Sequence, residues 1–437
     1  MNKKIIKSLF WLNLVVILFF WFSGSSGHLL ERSFSGIFIS LGRVSGLLAE
    51  YLILVQLILI GRIHFIEREF GHDRLASIHK TVGTYLILLI ISHPILLSVG
   101  YGALTESGYF EQFLSFLQNW DDVAPALLGL LIFAAATILS LTVFRAKLKY
   151  ERWHFTHLFI YLAIGLALEH QTKTGDMSSG LPMFYWLALN YIAFGLILLY
   201  RFLRPFIQFF KYRFRVQKVE AESGDVWSIY ITGKNIGKFS YEAGQFAIVN
   251  FLQKGLWTSH PFSISCAPNP DHIRFTIKEL GDYTKRIKEL RPGTLVLIDG
   301  PLGLFTAKAA HTKKFLFVAG GIGITPIFGI IESLVKKNTR DIILLYCVRS
   351  AAMIPFQKDL DLFPIRSYYI ISDGVHVNAG KHLSGKLDKE RLKKLAPDLL
   401  ERDVYFCGPP AMGTAVLNDL KELGVQKDRL HYEKFAF

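Results

Sequence analysis

The sequence is short of cysteine, of charge and of acid. Only three cysteines occur in 437 residues, Cys266, Cys347 and Cys407. An odd number, all in the C-terminal half, argues against a disulfide framework. Charged residues make up 19% of the chain, too few for a wholly soluble protein of this length. Acids number 35 against 49 Lys and Arg, giving a net charge of +14. No internal repeat with a period of roughly 20–50 residues is evident, and no low-complexity tract, so a solenoid is excluded.

What is abundant is apolar sequence, 51% overall and concentrated in the first half. Six apolar spans lie near 9–22, 37–60, 79–100, 123–144, 155–170 and 183–203. Most are long enough to cross about 30 Å of hydrocarbon. The first has a basic start, as a signal peptide would, but no A-x-A site follows, so it reads as a retained helix. The cations collect in alternate loops. Lys3, Lys4 and Lys7 precede span one, and Arg62, Arg68 and Arg74 follow span two. Arg145, Lys147, Lys149 and Arg152 follow span four, and Arg201, Arg204, Lys211, Arg213 and Arg215 follow span six. An opposite loop holds Glu106, Glu111, Asp121 and Asp122. This is the positive-inside pattern rather than a nucleic-acid surface. It predicts a multi-pass protein of the bacterial inner or plasma membrane, with the N-terminus and the C-terminal half cytoplasmic.

Four histidines interrupt the apolar spans in two pairs. His79 and His93 are 14 residues apart, and His157 and His170 are 13 apart. Each pair spans about 20 Å of helix, nearly the width of a bilayer. A lone intramembrane histidine is commonly a hydrogen-bonded packing residue, but two matched pairs suit axial ligation of two haem irons. His79 is paired with His157 at an inner site, and His93 with His170 at an outer one. On ideal helices the 13-residue step turns the second pair about 140°, against about 40° for the first, a mismatch that tilt, or unwinding near Glu169–His170, could correct. His154 is a rival inner ligand that reads better as an interfacial residue beside Trp153. His64 and His72, in a charged loop, read as solvated.

After Lys211 the composition changes. Short β-like runs punctuated by Gly, Pro and Asn predict a small β-barrel, and strand–helix alternation from Lys313 predicts a parallel α/β domain. Within the barrel, His260, Pro261, Phe262 and Ser263 suit flavin binding, since an aromatic ring flanked by imidazole and hydroxyl can cover an isoalloxazine and hold its chain. Gly281, Asp282, Tyr283 and Thr284 suit a pyrophosphate at a helix start. Asp299 to Gly303 reads as a tight closing turn. Gly320, Gly321, Ile322, Gly323, Thr325 and Pro326 join a buried strand to a helix, a setting for a nucleotide diphosphate. They do not form the G-x-G-x-x-G fingerprint. Arg349 and Ser350 end the next strand and suit a 2′-phosphate, favouring NADPH over NADH. Cys407, Gly408 and Pro409 end another strand, with Cys407 read beside the nicotinamide.

In this order the motifs resemble the ferric reductase and NADPH oxidase superfamily of transmembrane flavocytochromes, from about residue 37 to the C-terminus. The resemblance implies a membrane α-helical bundle of six transmembrane helices over 1–210. A ferredoxin-reductase-like module follows, with an FAD-binding β-barrel at 211–310 and an NAD(P)H-binding α/β domain at 311–437. It implies FAD, NADPH and two b-type haems. It further implies that Phe437 stacks on the flavin, and that Arg43 stands near the outer haem and oxygen site, although Arg43 reads equally as an interfacial cation. Cys407, Phe437 and Arg43 are thus the expected reactive-centre residues. No EF-hand loop occurs, so calcium control is not expected. The acceptor stays open between O2, giving superoxide, a ferric species, and a membrane or periplasmic redox partner.

Overall fold

The computed structural model describes residues 2–30, 33–141, 150–339, 341–373 and 380–434. The chain divides into two units, residues 1–70 with 74–201, and residues 71–73 with 202–437.

The first unit is helical. Its long helices are α1 (Lys3–Ser23), α3 (Phe34–Ile60), α5 (His72–Thr105), α7 (Val123–Ser140), α8 (Tyr150–Lys173) and α9 (Gly180–Ile197). Shorter helices α2 (Ser25–Leu30), α4 (His64–Phe70) and α6 (Tyr109–Asn119) lie between them. Asn2 and Ser33 cap α1 and α3 by accepting from Lys4 and Gly36 backbone N–H groups, which satisfies otherwise orphaned donors. Among the described residues, five helices are long and apolar enough to cross a membrane, the last running continuously from Gly180 to Tyr212. Helix α8 is the sixth of the sequence reading. Its 24 residues suffice in length, but Arg152, Glu169 and Lys173 near its ends lower its mean hydropathy. The loop cations Arg145, Lys147 and Lys149 lie outside the described residues.

Of the two ways to reconcile the spacings, unwinding near Glu169–His170 is not used, because α8 is one unbroken α-helix. His72 is also not solvated. It is 6% exposed, its ring centred 5.8 Å from that of Phe246.

A π-helical stretch, Leu198–Leu203, crosses the unit boundary, and helix α10 (Arg204–Tyr212) follows in the second unit. Six strands follow: β1 (Arg215–Ser223), β2 (Val226–Thr232), β3 (Phe246–Phe251), β4 (His260–Ser263), β5 (Ile273–Lys278) and β6 (Val296–Leu302). They form two antiparallel sheets, β1-β2-β5 and β4-β3-β6. Single bridges Arg215–Leu295 and Ile264–Phe275 join the sheets at both edges, closing a barrel. Phe214, Phe251, Ile264 and Phe275 fill it. Residues 299–302 continue β6 instead of turning, and the chain turns at Gly303 (φ +97°).

The rest is a six-stranded parallel sheet in the order β10-β9-β8-β7-β11-β12. Its strands are β7 (Phe315–Gly320), β8 (Ile342–Val348), β9 (Arg366–Ile371), β10 (His382–Ser384), β11 (Asp403–Gly408) and β12 (Leu430–Lys434). Helices α11 (Ile324–Lys336), α12 (Gln357–Leu362), α13 (Lys389–Leu395) and α14 (Pro410–Glu422) connect them. One core lies on each face of the sheet, which explains why β7 is buried at every position. Strand order reverses at β7, where β8 leaves one side and β11 takes the other. The crevice at the C-terminal ends of such strands is where open α/β sheets bind nucleotides.

Candidate cofactor sites

The four membrane histidines meet in the predicted pairs. The rings of His79 and His157 are centred 6.2 Å apart, and those of His93 and His170 are 6.1 Å apart. His154 instead lies against Trp153, their rings centred 6.3 Å apart. Each paired ring is held through Nδ1. His79 bonds the Gln56 carbonyl at 3.3 Å, and His93 the Gly42 carbonyl at 2.7 Å. Gln56 and Gly42 are 14 residues apart on α3, the same step as their partners on antiparallel α5. His170 Nδ1 bonds Asp122 Oδ2 at 2.7 Å, and His157 Nδ1 bonds Ser140 Oγ at 3.1 Å. Asp122 precedes α7 and Ser140 ends it, so one helix anchors both α8 histidines.

These contacts fix the tautomers. Carbonyl and carboxylate oxygens only accept, so His79, His93 and His170 donate from Nδ1. Ser140 spends its hydroxyl proton on the Ala136 carbonyl at 2.7 Å. It therefore accepts from both His157 Nδ1 and Trp153 Nε1. All four Nε2 atoms keep a lone pair for a metal, the arrangement that a hydrogen bond from the opposite ring nitrogen imposes on ligating imidazole. Two imidazoles binding one metal at about 2.0 Å each, with about 1.1 Å more to each ring centre, have centres about 6.2 Å apart. The observed separations leave that gap. No group of three or more His, Cys, Asp or Glu among the described residues could hold a metal ion. A two-histidine site suits a metal that brings its other ligands with it, as haem does.

A mostly apolar cavity surrounds the His93–His170 pair, with Ile90, Leu97, Phe133 and Ala163 among its walls. Gly46 makes room for it, since a Cβ there would stand 2.6 Å from His93 Nδ1. Arg43 also lines the cavity. It donates to Ser25 Oγ at 2.7 Å and Tyr101 Oη at 3.0 Å, and lies 3.9 Å from Asp176. Asp176 in turn accepts from Ser25 and Ser26. Glu50, 6% exposed, lines the cavity too, with Gln171 also in its wall. Sequence reasoning missed Gln56, Gly42, Ser140, Asp176 and Glu50. The carboxylates carried the only available signal, an acid within an apolar span or beside one.

In the second unit, His260–Ser263 is strand β4, paired with β3. Pro261 is tolerated there because β4 is short and at a sheet edge. Ser263 is 6% exposed and its hydroxyl has no partner. Tyr283 turns inward, its ring centred 3.8 Å from that of His260, and donates to the Leu256 carbonyl. Asp282 is exposed. Thr284 Oγ1 accepts from the N–H groups of Leu280 and Gly281. Gly281 and Thr284 therefore bond each other, rather than both standing free for a diphosphate as expected.

The GGIG and CGPP motifs come together at the strand-order reversal. A Cβ on Gly323 would stand 2.2 Å from the Cys407 carbonyl, and one on Gly320 would stand 3.2 Å from Gly408 Cα. These glycines let the ends of β7 and β11 approach. Gly321, at φ +53° with nothing near its Cβ position, faces open space. Ile322 accepts the Thr325 hydroxyl bond, and Pro326 is buried in the first turn of α11. Arg349 is exposed beyond the end of β8, and Ser350 beside it is half-buried. Pro409 begins the turn into α14. Cys407 is fully buried, and burial pushes its thiol well above the ordinary range. It sits opposite Glu433 of β12, which sequence reasoning missed. Glu433 is 8% exposed, its Oε2 is unpartnered, and a Cβ on Gly303 would stand 3.8 Å from its Oε1. Burial pushes this carboxyl up to about 8. The orphaned buried oxygens of Ser263 and Glu433 fit a polar ligand such as flavin with nicotinamide. Phe437 lies outside the described residues.

Comparison with known proteins agrees with this layout. Residues 45–168 match the ferric reductase like transmembrane component, 211–304 an FAD-binding domain, and 317–418 an oxidoreductase NAD-binding domain. The chain has the architecture of the ferric reductase and NADPH oxidase-like flavocytochromes. The matched segments are those of a multi-pass membrane protein carrying FAD- and NAD-binding domains of the oxidoreductase type.

The reductase half is 28% identical over 235 residues to the glycine betaine monooxygenase reductase subunit of Pseudomonas aeruginosa. It is 27% identical over 236 residues to an NADPH oxidoreductase of Mycobacterium tuberculosis. Each match covers 51% of this chain, and 63% and 60% of those relatives. The FAD/NAD-binding domain of nitric oxide dioxygenase from Vibrio cholerae aligns with 51% of this chain and 98% of its own, at 24% identity and TM-score 0.46.

Proposed function

We propose that the protein carries electrons from cytoplasmic NADPH, through FAD and two b-type haems, to O2 on the opposite face of the membrane, releasing superoxide. The observation that supports this reading best is the pair of two-histidine sites, each offering two Nε2 lone pairs across a metal-sized gap. When bound, flavin accepts a hydride and releases electrons singly, and haem passes single electrons onward.

The chain's own residues bind, orient and insulate. His79 with His157 would hold the inner haem, and His93 with His170 the outer one. Their Nδ1 partners keep the rings from turning. The apolar cavity walls exclude water and so tune potential. His260 to Ser263 and Thr284 would bind FAD. Gly321 and the first turn of α11 would take the nicotinamide diphosphate, with Gly408 and Pro409 closing the crevice. Arg349 and Ser350 would read the 2′-phosphate. Cys407 and Glu433, neighbours across β11 and β12, would stand where flavin and nicotinamide meet, and a protonated Glu433 would donate a hydrogen bond there. Phe437 would cover the flavin. Arg43, oriented by Ser25 and Tyr101, would place positive charge beside the outer haem, where reduced oxygen gains negative charge.

Purified, cofactor-loaded protein is mixed with NADPH and O2, with a ferric chelate, or with neither. The expected result is NADPH oxidation that depends on O2 and a superoxide signal abolished by superoxide dismutase. Turnover with ferric chelate alone, or only with an added partner protein, would overturn O2 as the acceptor.

A further inference from the structure

The stretch from Met177 to Val219 contains no acid, and six cations follow Tyr200: Arg201, Arg204, Lys211, Arg213, Arg215 and Lys218. The helical run Gly180–Tyr212 has 33 residues. At about 1.5 Å per residue it measures about 50 Å, well beyond the ~30 Å of a hydrocarbon core. Helix α10 is the excess.

This helix has two unlike faces. On one, Arg204 Nη2 and Gln208 Nε2 both donate to the Gly300 carbonyl of β6, at 3.2 and 3.0 Å. Pro205 and Tyr212 are buried. On the other, Leu203, Phe206, Ile207 and Phe210 follow i, i+3, i+4, i+7 spacing. These four are 45%, 53%, 58% and 68% exposed. Lys211, Arg213 and Arg215 are exposed at the helix end.

We propose that α10 is an interfacial anchor. Its apolar stripe lies in the headgroup layer of an anionic leaflet, while its polar face carries the flavin-side sheet through Gly300. Three features select lipid as the occupant. The helix continues a membrane span, so its stripe emerges at the interface. Aromatic and aliphatic residues on one face with cations beside them suit the boundary between acyl chains and phosphates. The run of cations without acids complements anionic headgroups. The consequence is that leaflet charge sets how firmly β6, and through β3 the flavin strand β4, are held at the membrane.

The test uses the full-length protein in nanodiscs of phosphatidylcholine, with or without phosphatidylglycerol. A nitroxide is placed by Phe206→Cys or Phe210→Cys. A control label replaces Leu362, which is 82% exposed. The three native cysteines are buried or half-buried. Collisions with oxygen are compared with collisions with a water-soluble nickel chelate. The expected result is oxygen-dominated relaxation at both α10 positions and nickel-dominated relaxation at 362. Phosphatidylglycerol should deepen the α10 labels, and Lys211→Gln with Arg213→Gln and Arg215→Gln should abolish that increment. Nickel access at 206 and 210 equal to that at 362 would overturn the anchor. So would dipolar broadening between labels, which would identify a second copy as the occupant. Depth unchanged by phosphatidylglycerol would overturn the anionic preference. The measurement needs no turnover, so its failure is separable from failure of the electron-transfer reading.

Discussion

Among the four paired histidines, only His170 donates to a carboxylate; the other three donate to neutral oxygens. A carboxylate acceptor makes an imidazole a stronger donor to the metal and favours the oxidised iron. Asp122→Asn should therefore raise the midpoint potential of the outer haem and leave the inner one unchanged. The scale is tens of millivolts, given about 59 mV per tenfold change for one electron. Spectroelectrochemical titration checks this, and an unshifted outer haem would contradict it. Glu433 supplies a pH dependence. Its folded value of about 8 stands above the ordinary 4.5 because of burial, with Asp73 adding to it. The folded chain thus holds a proton that the unfolded chain releases. That contribution is complete below the unfolded value and is lost as pH rises through 8, at up to about 1.4 kcal/mol per pH unit. Glu433→Gln should lose less stability than the parent as pH rises from about 5 to about 9. Melting curves that fall in parallel would refute it. For nucleotide choice, Arg349→Ala should weaken NADPH by roughly tenfold or more and spare NADH, the worth of a charge-assisted bond of about 1.5–3 kcal/mol. Equal losses for both nucleotides would rule out a contact between Arg349 and the 2′-phosphate.

Elements meet through glycines, and there a single methyl group decides. Gly46→Ala would place carbon 2.6 Å from His93 Nδ1, closer than real Cβ contacts come, so the ring or α3 must move. Haem occupancy of the outer site should fall while the inner site keeps its spectrum. Gly165→Ala on α8 meets nothing within 4 Å and should leave both spectra intact. Low-temperature spectra of the two variants decide; a normal outer haem in Gly46→Ala would count against this packing. The elements also differ in how far the sequence disclosed them. The histidine pairs were legible because an imidazole in an apolar span stands out and the two spacings, 14 and 13 residues, are nearly equal. Two of their anchors were not, because Gly42 and Gln56 act through backbone carbonyls that leave no trace in side-chain type. Asp122 was visible but read only as a loop acid. Strand β4 was obscured by Pro261, and residues 299–302 read as a turn because Gly and Pro are usually turn residues. Glu433 sits in a polar terminal run where nothing in sequence announces burial. The GGIG glycines suggested contact with a diphosphate, yet two of them serve strand packing first, a distinction that only the neighbouring strand reveals.

At the scale of the whole molecule, the proposed route makes the order of sites testable. Histidine loss should break it at different points, because on this reading each pair would share one metal, and one missing ligand would open that site alone. In His79→Ala, NADPH should still reduce flavin, but neither haem should follow on the timescale of turnover. In His93→Ala, the inner haem should reduce at the parent rate, while delivery to O2 should fall by at least an order of magnitude, since every tenfold step corresponds to only about 1.4 kcal/mol of barrier. The contrast depends on the two pairs lying about 20 Å apart along α5. Electrons must then visit the sites in sequence rather than choose between them. Stopped-flow spectra that resolve flavin from haem, with superoxide measured in parallel, separate these outcomes. If His79→Ala still reduced the outer haem at the parent rate, the flavin would reach the outer site without the inner one. The serial route would then be wrong even with every cofactor correctly assigned.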